Sequence, residues 1–323
     1  SGVTSVIDTI RTLIPQFAEL ITSIAGAVLE SAPGIIKALA DGLLSAISEL
    51  TPTIARIVTE IISALVGLLP QIVYYFSAYC DFLNSNGLKL GDEVDFAVPT
   101  GNFGDILACW YAKQMGLPVG KLICASNENN VLADFFKTGT YDRNRAFHTT
   151  ISPSMDILVS SNLERLLYSV CGDDKQVAEY MRSLSEKGSY TVSNEIFKVL
   201  SDNFVGGFCT DADTKATIAD VYNEHGYLID THTAVAYKLM LEHKTDRPTV
   251  VVSTASPFKF CDSVLDALGE KTDASGVELI EKLASFTGNA VPAPLCGLDK
   301  RPVRFETVIE KQAMKQAVTE FLK

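Results

Sequence analysis

The chain has 323 residues, 47% hydrophobic and 20% charged, which is apolar matter enough for one large or two ordinary cores and excludes a disordered chain. Its formal charge of −12 excludes the basic field that nucleic acid or an anionic membrane surface requires, but leaves room for a small anion held locally by backbone N–H groups. Seven cysteines without a CxxC pair or zinc-like spacing read as reduced thiols of a cytoplasmic protein, and no metal site is expected.

The chain opens with no basic segment leading into a short apolar core and cleavage site, so no secretion signal is expected. Residues 1–70 form an apolar tract punctuated by Pro15, Pro33, Pro52 and Pro70. The echoes LIPQFAELI, SAPGIIKAL, LTPTIARIV and LLPQIVYYF mark an internal repeat. Apolar residues recur at helical spacing, as in Ile35, Ile36, Leu39 and Leu43, and Ser31 and Thr51 precede prolines where helices start. Short helices broken at Pro33 and Pro52 are predicted, their stripes packed on one another or on a partner. His and Cys are absent and the nine charges are scattered, so the tract reads either as a helical packing element or as a scaffold that self-associates. It resembles the proline-punctuated helical tracts of phage tail tape-measure proteins, which implies an assembly role.

Ile61–Cys80 is twenty residues without a charge, the length of a membrane span. Pro70, Gln71, Ser77 and the paired tyrosines favour a buried helix pair around Pro70 instead. From about residue 71 the texture changes. Runs with β character (Val94–Val98, Lys121–Ala125, Thr249–Ser253) alternate with amphipathic helical stretches over Asp105–Met115, Asp156–Val170, Lys175–Lys187, Asp213–His225, Thr231–His243 and Glu306–Leu322. That alternation predicts an α/β domain over residues 71–323 with a mainly parallel sheet and its ligand site at the carboxyl ends of the strands.

The segment DFAVPTGNFGDILA (Asp95–Ala108) predicts a strand, a turn at Gly101-Asn102-Phe103-Gly104, and a helix. Glycines allow a tight turn whose N–H groups and following helix start converge on one anion; the alternative is a turn without a ligand.

After this loop come KLICASNENNVLADFF, TGTYDRNR, SPSMDILVSSNLERLL, GYLIDTHTAVAYK and VVSTASPFKF. In this order the segments resemble threonine synthase, a pyridoxal-phosphate enzyme of fold type II (tryptophan-synthase-β-like), across residues 71–323. The resemblance implies pyridoxal 5'-phosphate as cofactor, with Gly101, Asn102, Phe103 and Gly104 on its phosphate. It implies that the Thr254 hydroxyl meets the pyridine nitrogen, a role that competes with capping the Ser256-Pro257 turn. Asn162 and Arg165 become candidates for a substrate phosphate, and composition favours a helix cap for Asn162. His232 stands where the family has an acidic residue, proline and histidine, with Thr231 in place of the frequent proline; it is a structural histidine or a proton shuttle.

The family's reaction converts O-phosphohomoserine and water to threonine and phosphate, and needs a Schiff-base lysine upstream in a segment of the type His-Gly-Pro-Thr-x-Ala-Phe-Lys-Asp. No such segment occurs, and Lys37 is the sole lysine before Lys89. No catalytic lysine is therefore assigned. The expectation is a truncated or chimeric chain without turnover, joined near Leu68–Val73. Two rivals are a helical assembly protein fused to an enzyme fragment, and recruitment of Lys259 as the anchoring lysine.

Overall fold

The structure, a computed structural model, describes residues 70–85, 88–302, 304 and 307–322. The proline-punctuated tract and its expected helix breaks lie outside the described residues, apart from Pro70. No helix among the described residues is long and apolar enough to cross a membrane, and the candidate span at Ile61–Cys80 falls only partly on them.

Strand β1 (Val94–Pro99) is buried at every position, which marks a central strand covered on both faces. It pairs in parallel with β2 (Val119–Ser126) and β6 (Thr249–Val251). Strand β5 (Phe204–Phe208) extends β2 in parallel, giving the order β5-β2-β1-β6. A separate antiparallel pair joins β3 (Thr140–Asp142) and β4 (Ser189–Thr191). The architecture is thus α/β with a mainly parallel sheet.

Side-chain alternation along the strands sorts the core into two faces. Phe96, Val98, Leu122 and Cys124 belong to a cluster with Ile106, Leu107 and Trp110 of α2 (Gly104–Gln114) and Phe135 and Phe136 of α3 (Val131–Thr138). Helix α1, over 70–85, joins that cluster through Ile72, Tyr75 and Tyr79, spaced by helical turns, and Tyr75 meets Phe96 edge to face at 5.2 Å. Ala97, Ile123 and Ala125 face the other way, onto Val235, Ala236 and Leu239 of α8 (Thr231–Glu242). Small residues on both sides of that contact let helix and sheet approach closely.

Helices α4 (Leu163–Cys171), α5 (Asp174–Lys187) and α6 (Asn194–Asn203) complete the first face. Helices α7 (Asp211–His225), α9 (Cys261–Ala267) and α10 (Glu278–Thr287) form a further cluster with Phe258 and Phe260. Helix α11 (Met314–Phe321) buries none of its residues.

Several sequence boundaries move. The helix expected from Asp156 begins at Leu163, because the Asp156 carboxylate accepts from the Thr150 N–H at 3.0 Å, its hydroxyl at 2.7 Å and the Asn127 amide at 2.7 Å. These bonds tie the segment into a loop. The strand expected to run to Ser253 ends at Val251, and the helix expected from Glu306 begins at Met314. Strands β3, β4 and β5 and helices α3, α6, α9 and α10 lie outside the segments the sequence marks as strands or helices. In β5 (FVGGF) a β-carbon on Gly206 would stand 2.7 Å from the Ala133 carbonyl oxygen, so close packing of α3 selects the glycine.

Candidate functional site

At the carboxyl end of β1 the chain turns through Thr100–Phe103 into α2, where the sequence places the glycine loop. Thr100 is still bound to the sheet, its N–H donating to the Ala125 carbonyl at 2.7 Å. Phe103 then adopts a left-handed conformation with φ of 64°, alone among the described non-glycine residues. Such a conformation costs about 1–2 kcal/mol in an L-residue. Burial offsets it: Phe103 is 1% exposed, stacked on Phe136 at 5.8 Å and tilted against Phe204 at 6.0 Å. The loop is anchored by its aromatic residue while its polar backbone faces a pocket.

No side chain caps α2, so the N–H groups of Gly104, Asp105 and Ile106 have no acceptor one turn earlier. These residues, with Gly101, Asn102 and Phe103, line a pocket of 290 Å³ together with Ser154, Met155, His232 and Thr254. Uncapped N–H groups at a helix start favour an anion. A second pocket of 420 Å³ shares Gln71, Asp105 and Thr254 and extends between α1 and the residues that follow β6.

Thr254 is exposed and touches both pockets. The cap of the following turn comes from Ser256, whose hydroxyl accepts the Phe258 N–H at 3.3 Å. The turn-capping role considered for Thr254 therefore belongs to Ser256.

Asn162 occupies the N-cap position of α4 without capping it. Its amide donates to the Asn102 carbonyl at 2.8 Å, and its own backbone N–H donates to the same oxygen at 3.2 Å. The expected helix cap is thus a clamp on the glycine loop. Arg165, one turn on, lies near Tyr111 of α2 and lines neither pocket.

His232 is 2% exposed and lines the pocket. Its Nε2 accepts the Ser154 N–H at 3.2 Å, and Nδ1 lies 3.3 Å from an Asp230 oxygen. Burial pushes the Asp230 carboxyl up, but hydrogen bonds from the His232 and Thr233 side chains and backbone N–H groups outweigh it and hold the carboxyl below its ordinary value. Lys259 is exposed, its Nζ 5.2 Å from the Phe260 ring centre, and no lysine lines either pocket among the described residues.

Sequence reading missed Tyr75 and Asp105. The Tyr75 hydroxyl donates to the Asp105 carboxylate, and lies equally close to its carbonyl, both at 3.1 Å. Burial raises both groups; the Tyr75 hydrogen bond draws Asp105 partly back, while the Asp105 charge raises Tyr75 further. It also missed Ser154 and Met155, whose backbone walls the pocket. Nothing in SPSM marks that role, since it depends on loops meeting in space.

Residues 233–321 match the family described as "Threonine synthase, C-terminal". The mouse protein named "Threonine synthase-like 1" is 44% identical over 235 residues, 70% of this chain and 31% of the mouse protein. The threonine synthase of Methylobacillus glycogenes is 38% identical over 260 residues, 78% of this chain and 50% of that protein. A crystal structure of threonine synthase from Brucella melitensis with PLP bound superposes with a TM-score of 0.67 at 37% identity, covering 78% of this chain and 50% of that one. Yeast threonine synthase gives 0.68 at 32% identity, covering 79% and 52%. The chain spans about half or less of the length of these relatives.

Proposed function

The chain carries, from about residue 71, a threonine-synthase-like C-terminal region, and on that premise we propose that this region holds pyridoxal 5'-phosphate for a carbon–oxygen lyase of threonine biosynthesis. The observation that carries the reading is the uncapped start of α2 against the glycine loop, in a pocket of a size and polarity to take a phosphate. The residues fit the group: backbone N–H groups of the loop and helix start would hold the phosphate, and Thr254 would offer a neutral hydroxyl. A neutral partner at the ring nitrogen tempers the electron withdrawal that the cofactor supplies when bound.

The chain's own residues then do three things. Asn162 and Ser154 fix the loop that receives the phosphate. Phe103, buried, keeps that loop from collapsing into the pocket. Tyr75 and Asp105 brace α1 against the first turn of α2, closing one side of the cleft. In this reading the substrate is O-phosphohomoserine, as in the family.

No described lysine lines the pocket, and Lys259 sits outside it. In this reading the chain as it stands binds cofactor reversibly and without turnover, because no lysine among the described residues lines the pocket to anchor the cofactor and move protons. The test is the purified full chain with added pyridoxal phosphate and O-phosphohomoserine, followed by phosphate release and by borohydride reduction. Reversible binding without phosphate release or a reduced adduct is expected. Turnover together with a modified peptide containing Lys259 or Lys37 overturns the assignment.

A further inference from the structure

We propose that His232 is a positioning residue for this site, holding the loop over 152–155 against the glycine loop through the lone pair of a neutral imidazole. The proposal rests on the reading of the pocket as a phosphate site and goes one step further, to what keeps its wall in place.

The Ser154 N–H can only donate, so the Nε2 it meets at 3.2 Å must carry a lone pair. The proton of the neutral ring is then on Nδ1, facing Asp230 at 3.3 Å and the Thr231 hydroxyl at 3.3 Å. Asp230 is itself tied to the helix start: it accepts the His232 N–H at 2.8 Å and the Thr233 N–H at 3.3 Å, and is bonded by the Thr233 hydroxyl. A chain of contacts thus runs from Asp230 through His232 to Ser154, whose carbonyl oxygen crowds Gly101. Protonation would put an N–H on Nε2, directed at the Ser154 N–H. Two donors cannot bond, and Phe260, its ring centre 4.8 Å from the imidazole, blocks the ring from turning aside.

Asp211 at the start of α7 faces the loop itself, accepting the Ile151 N–H at 3.2 Å. The loop is therefore held at Ile151 by Asp211 and at Ser154 by His232.

Hydrogen–deuterium exchange of the 151–155 segment in the full chain at neutral pH tests this. His232→Ala should lose about fivefold to tenfold of the wild-type protection at the Ser154 amide, the worth of one hydrogen bond. His232→Gln keeps a side-chain acceptor and should restore most of that protection. Protection in His232→Ala equal to wild type, or no recovery in His232→Gln, would overturn the proposal. Calorimetry with inorganic phosphate, run in parallel, tests the site itself: no binding by the wild type defeats the phosphate reading, while the exchange data still decide the role of His232.

Discussion

A β-carbon placed on Gly101 would stand 2.6 Å from the carbonyl oxygen of Ser154 and 3.2 Å from the α-carbon of Met155. Glycine is required there by space, since the contact is with backbone that cannot rotate away. Gly101→Ala should cost about 1–3 kcal/mol, the usual range for overpacking, and should weaken pyridoxal phosphate binding at least tenfold as the wall shifts. Urea unfolding monitored by Trp110, the chain's single tryptophan, measures the first effect and cofactor titration the second.

Asn162 should matter to ligand binding more than to folding. Its amide donates to the Asn102 carbonyl of the glycine loop and does not cap its own helix. Asn162→Ala should lose about 1 kcal/mol of loop stabilisation, read as a severalfold rise in the dissociation constant for pyridoxal phosphate. Asn162→Asp, which sets a carboxylate against a carbonyl oxygen, should be worse. Equal affinity in both variants would remove Asn162 from the site.

Asp105 sets a pH dependence. Burial raises its carboxyl above the ordinary value, and the Tyr75 hydrogen bond lowers it only in part. A carboxyl with a raised folded value contributes stability in full below its unfolded value, about 3.9, and loses it as pH rises through the folded value. Asp105→Asn should therefore be more stable than wild type at neutral pH, with the gain shrinking as pH falls and gone below about pH 4. Tyr75→Phe removes the lowering hydrogen bond, so the Asp105 carboxyl should titrate higher still. Denaturation midpoints across pH check both.

Asp95 is wholly buried and accepts from the Arg247 guanidinium at 2.7 Å, the Lys121 N–H at 2.6 Å and the Thr245 hydroxyl at 2.7 Å. These bonds fasten the start of β1 to β2 and to the turn before β6, at the end of the sheet away from the pocket. Arg247→Ala leaves the carboxylate two of its partners, so a loss of about 2–3 kcal/mol is expected. Cofactor affinity in the surviving folded fraction should be unchanged.

Thiol labelling should divide the cysteines by burial. Cys80 and Cys296 are exposed, whereas Cys109, Cys124, Cys209 and Cys261 are buried. Burial pushes the Cys124 thiol up to about 12, so its reactive thiolate is scarce at neutral pH. Two cysteines should react quickly in the native protein, Cys171 more slowly, and the buried four only after unfolding.

The α/β class and the strand β1 were legible in the sequence, because a largely apolar run leading into a glycine turn and then an amphipathic stretch has few other ways to satisfy its backbone. The helices at Lys175–Lys187, Asp213–His225 and Thr231–His243 were legible for a similar reason: capping residues and periodicity act within a few turns. The glycine loop could be named from its place between a strand and a helix, and its exit from β1 into α2 is local; Thr254 was named only through the family resemblance. What lay beyond local reading was set by contacts across the chain. Asn162 became a clamp because Asn102, 60 residues earlier, presents a carbonyl within its reach. His232 faces Ser154 across 78 residues, and strand β5 exists because β2 offers it a parallel partner while α3 packs on its Gly206 and α8 on its Gly207. Periodicity and capping record what a segment does with its neighbours in sequence; a side chain's hydrogen-bond partner is decided only when the packed sheet and helices bring distant loops within about 3 Å of one another.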